Sequence, residues 1–363
     1  MKLIIMKKSF LILAAAAMFA ACTNDSFRSD IEESQVEIDF STYTQKAVGT
    51  KAATTVGLEQ YYDEFEVYGY KTLLNESTQE PESQMVFNKQ SVAYNSESKA
   101  WTYAPKKFWD KVATQYDFYA AVPVDAFTFD ETNKVYEISD FEAAGKSLAV
   151  KTATEPKASE SFVEVETDLM LAAPIQRDMN SNNAKVLVEF NFSHILSRLN
   201  IGVKCDGLED GQTMTLNQLK VGNIANKGSY KQDKGWTEPE GSAVLVNAED
   251  AEGKGVAITD QNKFVYQGLL IPQTAGYAAI KLDGTDKGDN PYLYVKYTID
   301  EESFYAYYNL ADLFADADFK FEPGYQNNLY ITIGAAAINF SANAYVWETD
   351  EESSFDIEES IKE

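Results

Sequence analysis

The chain has 363 residues, with 57 acidic against 31 basic side chains, a formal charge of −26, one histidine and two cysteines. So negative a surface repels nucleic acid and anionic headgroups, which argues against either as a partner. A single histidine leaves little for acid–base or transition-metal chemistry.

The chain opens on Lys2, Lys7 and Lys8, an apolar run from Phe10 to Ala21, and then Cys22. A basic start and a short apolar stretch ending in small residues describe a signal peptide over 1–21, too short to span a bilayer. Ala20-Ala21-Cys22 resembles the lipobox of bacterial lipoproteins, which implies cleavage before Cys22 and lipidation (palmitate among the acyl chains) on its thiol. Several acyl chains on one residue anchor a protein stably to a membrane. Cys205 is then left without an intramolecular partner, so stability rests on sheet burial. Residues 22–34 are polar and aperiodic and read as a flexible tether.

Strand patterns follow. Val36, Ile38 and Phe40 alternate with Glu37 and Asp39, the signature of a half-buried strand. A Thr/Gly/Ala stretch carrying Lys46 and Lys51 reads as an exposed loop open to proteolysis. Phe65–Tyr70, Met85–Phe87, Val92 with Tyr94, Trp101 with Tyr103, Phe108-Trp109 and Tyr116–Pro123 form a dense aromatic half broken by polar turns. The stretch from Phe127 to Glu166 is less regular, and its Ala/Lys/Glu-rich part reads as surface helix or loop. A second strand-rich half is expected to open at Lys185–Phe192. It continues through Leu199–Val203, Leu216–Val221, Phe264–Ile271, Tyr277–Leu282 and Tyr292–Ile299, with a short helical turn at Asn309–Phe314. In the last strong segment Ile338, Phe340, Ala344 and Val346 share one face by their period of two. Residues 348–363 form an acidic tail. The expected architecture is mostly β, with two antiparallel sandwich domains in tandem over 35–184 and 185–347.

The order of motifs is similar to one family. Ile38-Asp39-Phe40, Val86-Phe87-Asn88, Trp101-Thr102-Tyr103, Phe118–Pro123, Asp168-Leu169-Met170, His194–Asn200 and the closing Pro323-Gly324 and Trp347 resemble the fimbrillin (Mfa-like, type V pilin) lipoproteins of Bacteroidota. The resemblance implies two transthyretin-like sandwiches in a lipid-anchored subunit of a fimbrium at the outer membrane and cell surface. Its partners would be other fimbrial subunits, and host or bacterial receptors or glycans. It also implies assembly by donor-strand exchange: proteolysis at Lys46 or Lys51 releases the strand of Val36, Ile38 and Phe40, and a neighbour's strand fills the slot. Ile338, Phe340, Ala344 and Val346 would line or supply that donated strand. The family's shaft subunits are commonly cut after arginine, whereas this loop offers lysine, so shaft, tip and anchor roles all stay open. A glycan-binding surface lipoprotein that never polymerises is the alternative.

No motif indicates an enzyme, a cofactor or a metal. His194 lacks companions at metal-ligand spacing and reads as a structural residue. Gly145-Lys146-Ser147 lacks the upstream glycine of a phosphate loop, where Asp140 stands. The Asp283–Asp289 loop does not follow the EF-hand pattern, and solvated turn carboxylates are the simpler reading.

Overall fold

The structure is a computed structural model that describes residues 36–44, 57–143, 168–180, 187–237, 255–274, 291–310, 320–334 and 338–346. Tyrosine, phenylalanine and β-branched residues at a period of two produce strands almost throughout. The largest sheet has eight: β1 (Phe40–Thr44), β2 (Glu64–Leu74), β3 (Pro81–Asn95), β4 (Ala100–Thr102), β5 (Gln115–Val122), β8 (Met170–Ala172), β9 (Ile175–Asp178) and β10 (Val188–His194). Their order is β1-β10-β8-β5-β2-β3-β4, with β9 also on β5. The β1–β10 pair is parallel, and the others in this sheet are antiparallel.

A small second sheet comprises β6 (Thr128–Asp130), β7 (Val135–Glu142), β13 (Lys227–Lys231) and β14 (Gly235–Trp236). The third runs β16-β11-β21-β22, from β11 (Ser197–Asp206), β16 (Lys263–Leu270), β21 (Tyr325–Gly334) and β22 (Ile338–Val346). The fourth runs β15-β12-β18-β19, from β12 (Met214–Gly222), β15 (Val256–Ile258), β18 (Tyr292–Ile299) and β19 (Glu302–Asn309). Two short strands, β17 (Gln273–Thr274) and β20 (Lys320–Phe321), pair apart.

Three cores follow from these sheets. The first sheet encloses Ile38, Phe40, Phe65, Phe87, Trp101, Trp109, Phe118, Phe190 and Phe192. The third and fourth sheets sandwich Leu199, Ile201, Val203, Leu216, Val221, Leu293, Val295, Leu329 and Ile331. Buried Cys205 belongs to this second core, where burial pushes its thiol pKa up. A third core joins the opposite face of β2 and β5 (Tyr68, Tyr70, Ala121) to Phe129 and Tyr136 of the second sheet, with Ile195, Leu196 and Leu269.

The sequence expectations are corrected at several points. Lys185–Phe192 was expected to open the second half, but β10 belongs to the first sheet and buries Val188, Phe190 and Phe192 there. The chain passes to the third sheet only between His194 and Ser197. The less regular stretch from Phe127 opens as a β6–β7 hairpin paired with β13, while its Ala/Lys/Glu-rich part, expected as surface helix or loop, falls almost wholly on 144–167, outside the described residues. The expected strand at Val36–Phe40 begins at Phe40, preceded by a bridge from Glu37 to Phe108. Tyr277–Leu282, the Asp283–Asp289 loop, Gly145–Ser147 and residues 311–314 of the expected helical turn also lie outside the described residues, and Asn309 ends β19.

Because β2 separates two cores, both its faces are buried, and Glu66 is caught among them with no solvent exposure. Its Oε2 accepts the Asp125 N–H at 3.1 Å, whereas Oε1 has no partner among the described residues. Burial raises the Glu66 pKa above its ordinary 4.5, and the Asp125 N–H and the Lys89 ammonium pull it partly back. A carboxyl raised on folding stabilises the fold while it is protonated, and that contribution is lost as pH rises through its folded pKa. Glu66→Gln should therefore gain stability relative to the parent as pH is taken from about 4 to about 8, read by urea unfolding. A difference independent of pH would contradict this.

Candidate functional site

The first sheet curls until its two ends nearly meet, and the N-terminal segment fills the seam. On one side β1 pairs with β10 in the register Phe40↔Val188 to Thr44↔Phe192, and the Val188 N–H donates to Asp39 O at 2.9 Å. On the other side the Ile38 N–H donates to Lys107 O at 2.9 Å. The Tyr103 hydroxyl donates to Ile38 O at 2.6 Å. Burial, then the Asp39 and Glu37 carboxylates, push the Tyr103 pKa up to about 12, against the Lys107 N–H; this donor keeps its proton at neutral pH. Outside the seam, Lys106 reaches Glu37 at 3.2 Å and Asp39 at 3.5 Å, exposed pairs of small energetic weight.

Two side chains plug the interior. Ile38 is wholly buried, and the Phe40 ring stacks on Phe190 at 5.6 Å. It also meets Phe87 edge-on at 5.3 Å and Tyr103 at 5.4 Å. Val36, expected to share this role, is 43% exposed, so the plug is Ile38 and Phe40. The alternation identified the inward pair, but Tyr103, Lys107 and Phe190, which complete the slot, did not stand out as a site in sequence. Their signal was the Trp101-Thr102-Tyr103 and Phe190-Asn191-Phe192 alternations, which read simply as strands.

At the other end of the chain, β22 is the edge strand of the third sheet and runs antiparallel to β21. Ile338 and Phe340 are half-buried against the second core, and Phe340 meets Tyr308 edge-on at 4.4 Å. Ala344 and Val346 stand opposite Asn327 and Tyr325 in the register. Cys22, Lys46 and Lys51 lie outside the described residues.

Two of the motifs that carried the resemblance, Asp168-Leu169-Met170 and His194–Asn200, meet at the crossover between sheets. His194 stands opposite Met170 in the β10–β8 register, and its Nδ1 makes a short contact with Asp168 Oδ2. Asp168 Oδ1 accepts the Leu169 N–H at 2.8 Å, and its carbonyl accepts the Tyr62 hydroxyl at 2.6 Å. Burial first, then the Asp168 charge, raise the Tyr62 pKa. Beyond His194, the Ile195 carbonyl accepts Trp236 Nε1–H at 2.7 Å and the Leu196 carbonyl accepts the Gly324 N–H at 2.8 Å. Gly324 has φ +72, a left-handed conformation that explains the glycine after Pro323. Asn327 then donates to Ser197 Oγ at 3.1 Å and to Arg198 O at 3.2 Å. These contacts fix the chain path between two sheets. Among the described residues no group of three His, Cys, Asp or Glu could hold a metal ion, and no helix is long and apolar enough to cross a membrane.

Two stability measurements check this geometry. Phe40→Ala should cost about 3–5 kcal/mol in denaturant unfolding, as large aromatic truncations in cores do, while Val36→Ala stays within about 0.5 kcal/mol. His194→Ala should cost about 1–3 kcal/mol by leaving the half-buried Asp168 carboxylate without its partner. Equal effects at positions 36 and 40, or no effect at 194, would contradict the assignments.

The family model described as fimbrillin-like matches residues 50–347. A search of curated proteins found no match. A fimbrial protein of Bacteroides vulgatus is 18% identical, with a TM-score of 0.52 over 86% of this chain and 99% of its own. A candidate cell adhesion protein of Bacteroides uniformis is 19% identical, with a TM-score of 0.44 over 88% of this chain and 100% of its own. Another, from Bacteroides ovatus, is 13% identical, with a TM-score of 0.44 over 87% and 99%. At these identities the Bacteroides vulgatus protein speaks for the fold alone. The family match covers well over half of the chain, and the protein belongs to the fimbrillin-like family.

Proposed function

We propose that the protein is a structural subunit of a cell-surface fimbrium and is not an enzyme. Membership of the fimbrillin-like family supports the surface location and assembly with other fimbrial subunits. In this reading Cys22 carries the lipid anchor at the outer membrane, and two tandem sandwich domains follow, the first closed by residues 37–44. Subunits join by strand exchange: cleavage at Lys46 or Lys51 frees the N-terminal ribbon, and a strand from another subunit, with Ile338, Phe340, Ala344 and Val346 as its candidate anchors, takes the slot.

The observation that carries this reading is the plug of Ile38 and Phe40 in a seam whose two walls both hydrogen-bond the ribbon. The physics is β-augmentation, in which main-chain bonds supply affinity and alternate pockets supply register. Cleavage alone does not empty the slot. Burial of Ile38 and Phe40 side chains is worth about 1.5–3 kcal/mol each, so a clipped ribbon leaves slowly. Trypsin treatment of the purified mature protein should cut within the Lys46–Lys51 stretch, and long incubation should then give a ladder of oligomers by size-exclusion chromatography. Clipped protein carrying Phe40→Ala should assemble faster, because its plug is weaker. If clipped parent and variant both lose the ribbon and stay monomeric, the strand-exchange reading fails.

A further inference from the structure

The fourth sheet has an inner face in the second core and an outer face of different composition. On β18 Leu293, Val295 and Tyr297 point inward. Alternation therefore puts Tyr292, Tyr294 and Lys296 on the other face, with Tyr307 and Tyr305 beside them on β19 and Lys220 beside them on β12; Tyr292 is buried there, Tyr294, Tyr307 and Lys220 are half-buried, and Lys296 and Tyr305 are exposed. Tyr294 and Tyr307 lie 4.5 Å apart between ring centroids, and Tyr292 is 6.1 Å from Tyr307. The Tyr292 ring lies over Gly222, in the space a Cβ would take, so β12 passes beneath it without a side chain. Lys220 Nζ stands 5.8 Å from the Tyr294 ring, and Lys296 faces Tyr305 in the register. Tyr305 is 71% exposed. Strand residues on this outer face include no aspartate or glutamate, in a chain that carries 57 of them.

We propose that this outer face binds an acidic oligosaccharide, one bearing carboxylates on pyranose rings. Two lysines without a neighbouring carboxylate among the described strand residues of the face form a local reversal of the chain's charge, complementary to an anion. The exposed Tyr305 ring, with its negative face, accepts the C–H face of a sugar ring. Lys220 and Lys296 start from strand positions diagonal to one another, about 7–8 Å apart, which suits carboxylates spread over successive sugars. A duplex nucleic acid, with about one charge per 1.7 Å, would meet the repulsion of the whole −26 chain, whereas an acidic glycan brings fewer charges to the same area. This surface is separate from the strand slot, and the proposal does not depend on strand exchange.

The test is titration calorimetry of the intact mature protein with tetragalacturonate, beside maltotetraose and a tetraglutamate peptide. The expected result is saturable binding of tetragalacturonate that weakens with added salt, with clearly weaker binding of the other two. Lys220→Gln, Lys296→Gln and Tyr305→Ser should each weaken it about tenfold, with thermal unfolding midpoints showing that these surface variants stay folded. Absence of tetragalacturonate binding overturns the proposal. So does equal affinity for the neutral sugar, which would leave the lysines without a role, or for the peptide, which would make the face a general polyanion surface. Binding unchanged in all three folded variants overturns it as well.

Discussion

The first sheet depends on one short ribbon lying between two walls that do not otherwise pair. The order of strands puts β1 at one end and β4 at the other. The backbone of residues 37–44 then bonds β10 on one side and the Tyr103–Phe108 segment on the other. A sheet that curls this far without closing leaves edge groups unpaired and an aromatic interior open to water. Ile38 and Phe40 remove both costs at once, because the atoms that complete the hydrogen bonding belong to the segment that fills the hollow. The consequence is a fold whose first core is completed by residues 37–44.

The second constraint is the crossover at residues 194–200. Here the chain leaves one sheet for another, and the backbone is held by side chains from distant segments: Asp168 on His194, Trp236 on Ile195, Asn327 on Ser197. With Leu269 of the third sheet packed in the third core beside Ile195 and Leu196, the second and third sheets are tied to the first through apolar as well as polar contacts. The histidine is thus accounted for by structure: the Asp168 contact pins the end of β10 to β8.

Much of this was legible in the sequence because period-two alternation is local. Ile38 and Phe40, the β18 pattern of Leu293, Val295 and Tyr297, and the run from Ile338 onward all declare a face without knowledge of partners. What alternation cannot declare is pairing. Val188-Glu189-Phe190-Asn191-Phe192 would suit either sheet, and the partners of β10 are β1 and β8, one of them nearly 150 residues upstream. The β6–β7 hairpin was hidden for another reason: Asp140, with φ +55, interrupts β7 and spoils a pattern already thick with polar residues. The slot itself was half visible, since a ribbon shows its own inward residues while its walls are spread over Tyr103, Lys107 and Phe190. The resemblance motifs gave the Asp168 and His194 stretches together but not that they touch.

The parallel pairing of β1 with β10 has a consequence for any series of such subunits. A ribbon that reproduces the Phe40↔Val188 to Thr44↔Phe192 register must enter pointing the same way as β10, since an antiparallel strand pairs in a different hydrogen-bond pattern and loses that register. Under the proposed strand exchange each junction would join unlike surfaces, slot to ribbon, a heterologous contact that does not close into a two-fold pair. A filament built this way has direction: one extremity exposes a vacant groove, the other an unspent ribbon, and every subunit between them faces the same way.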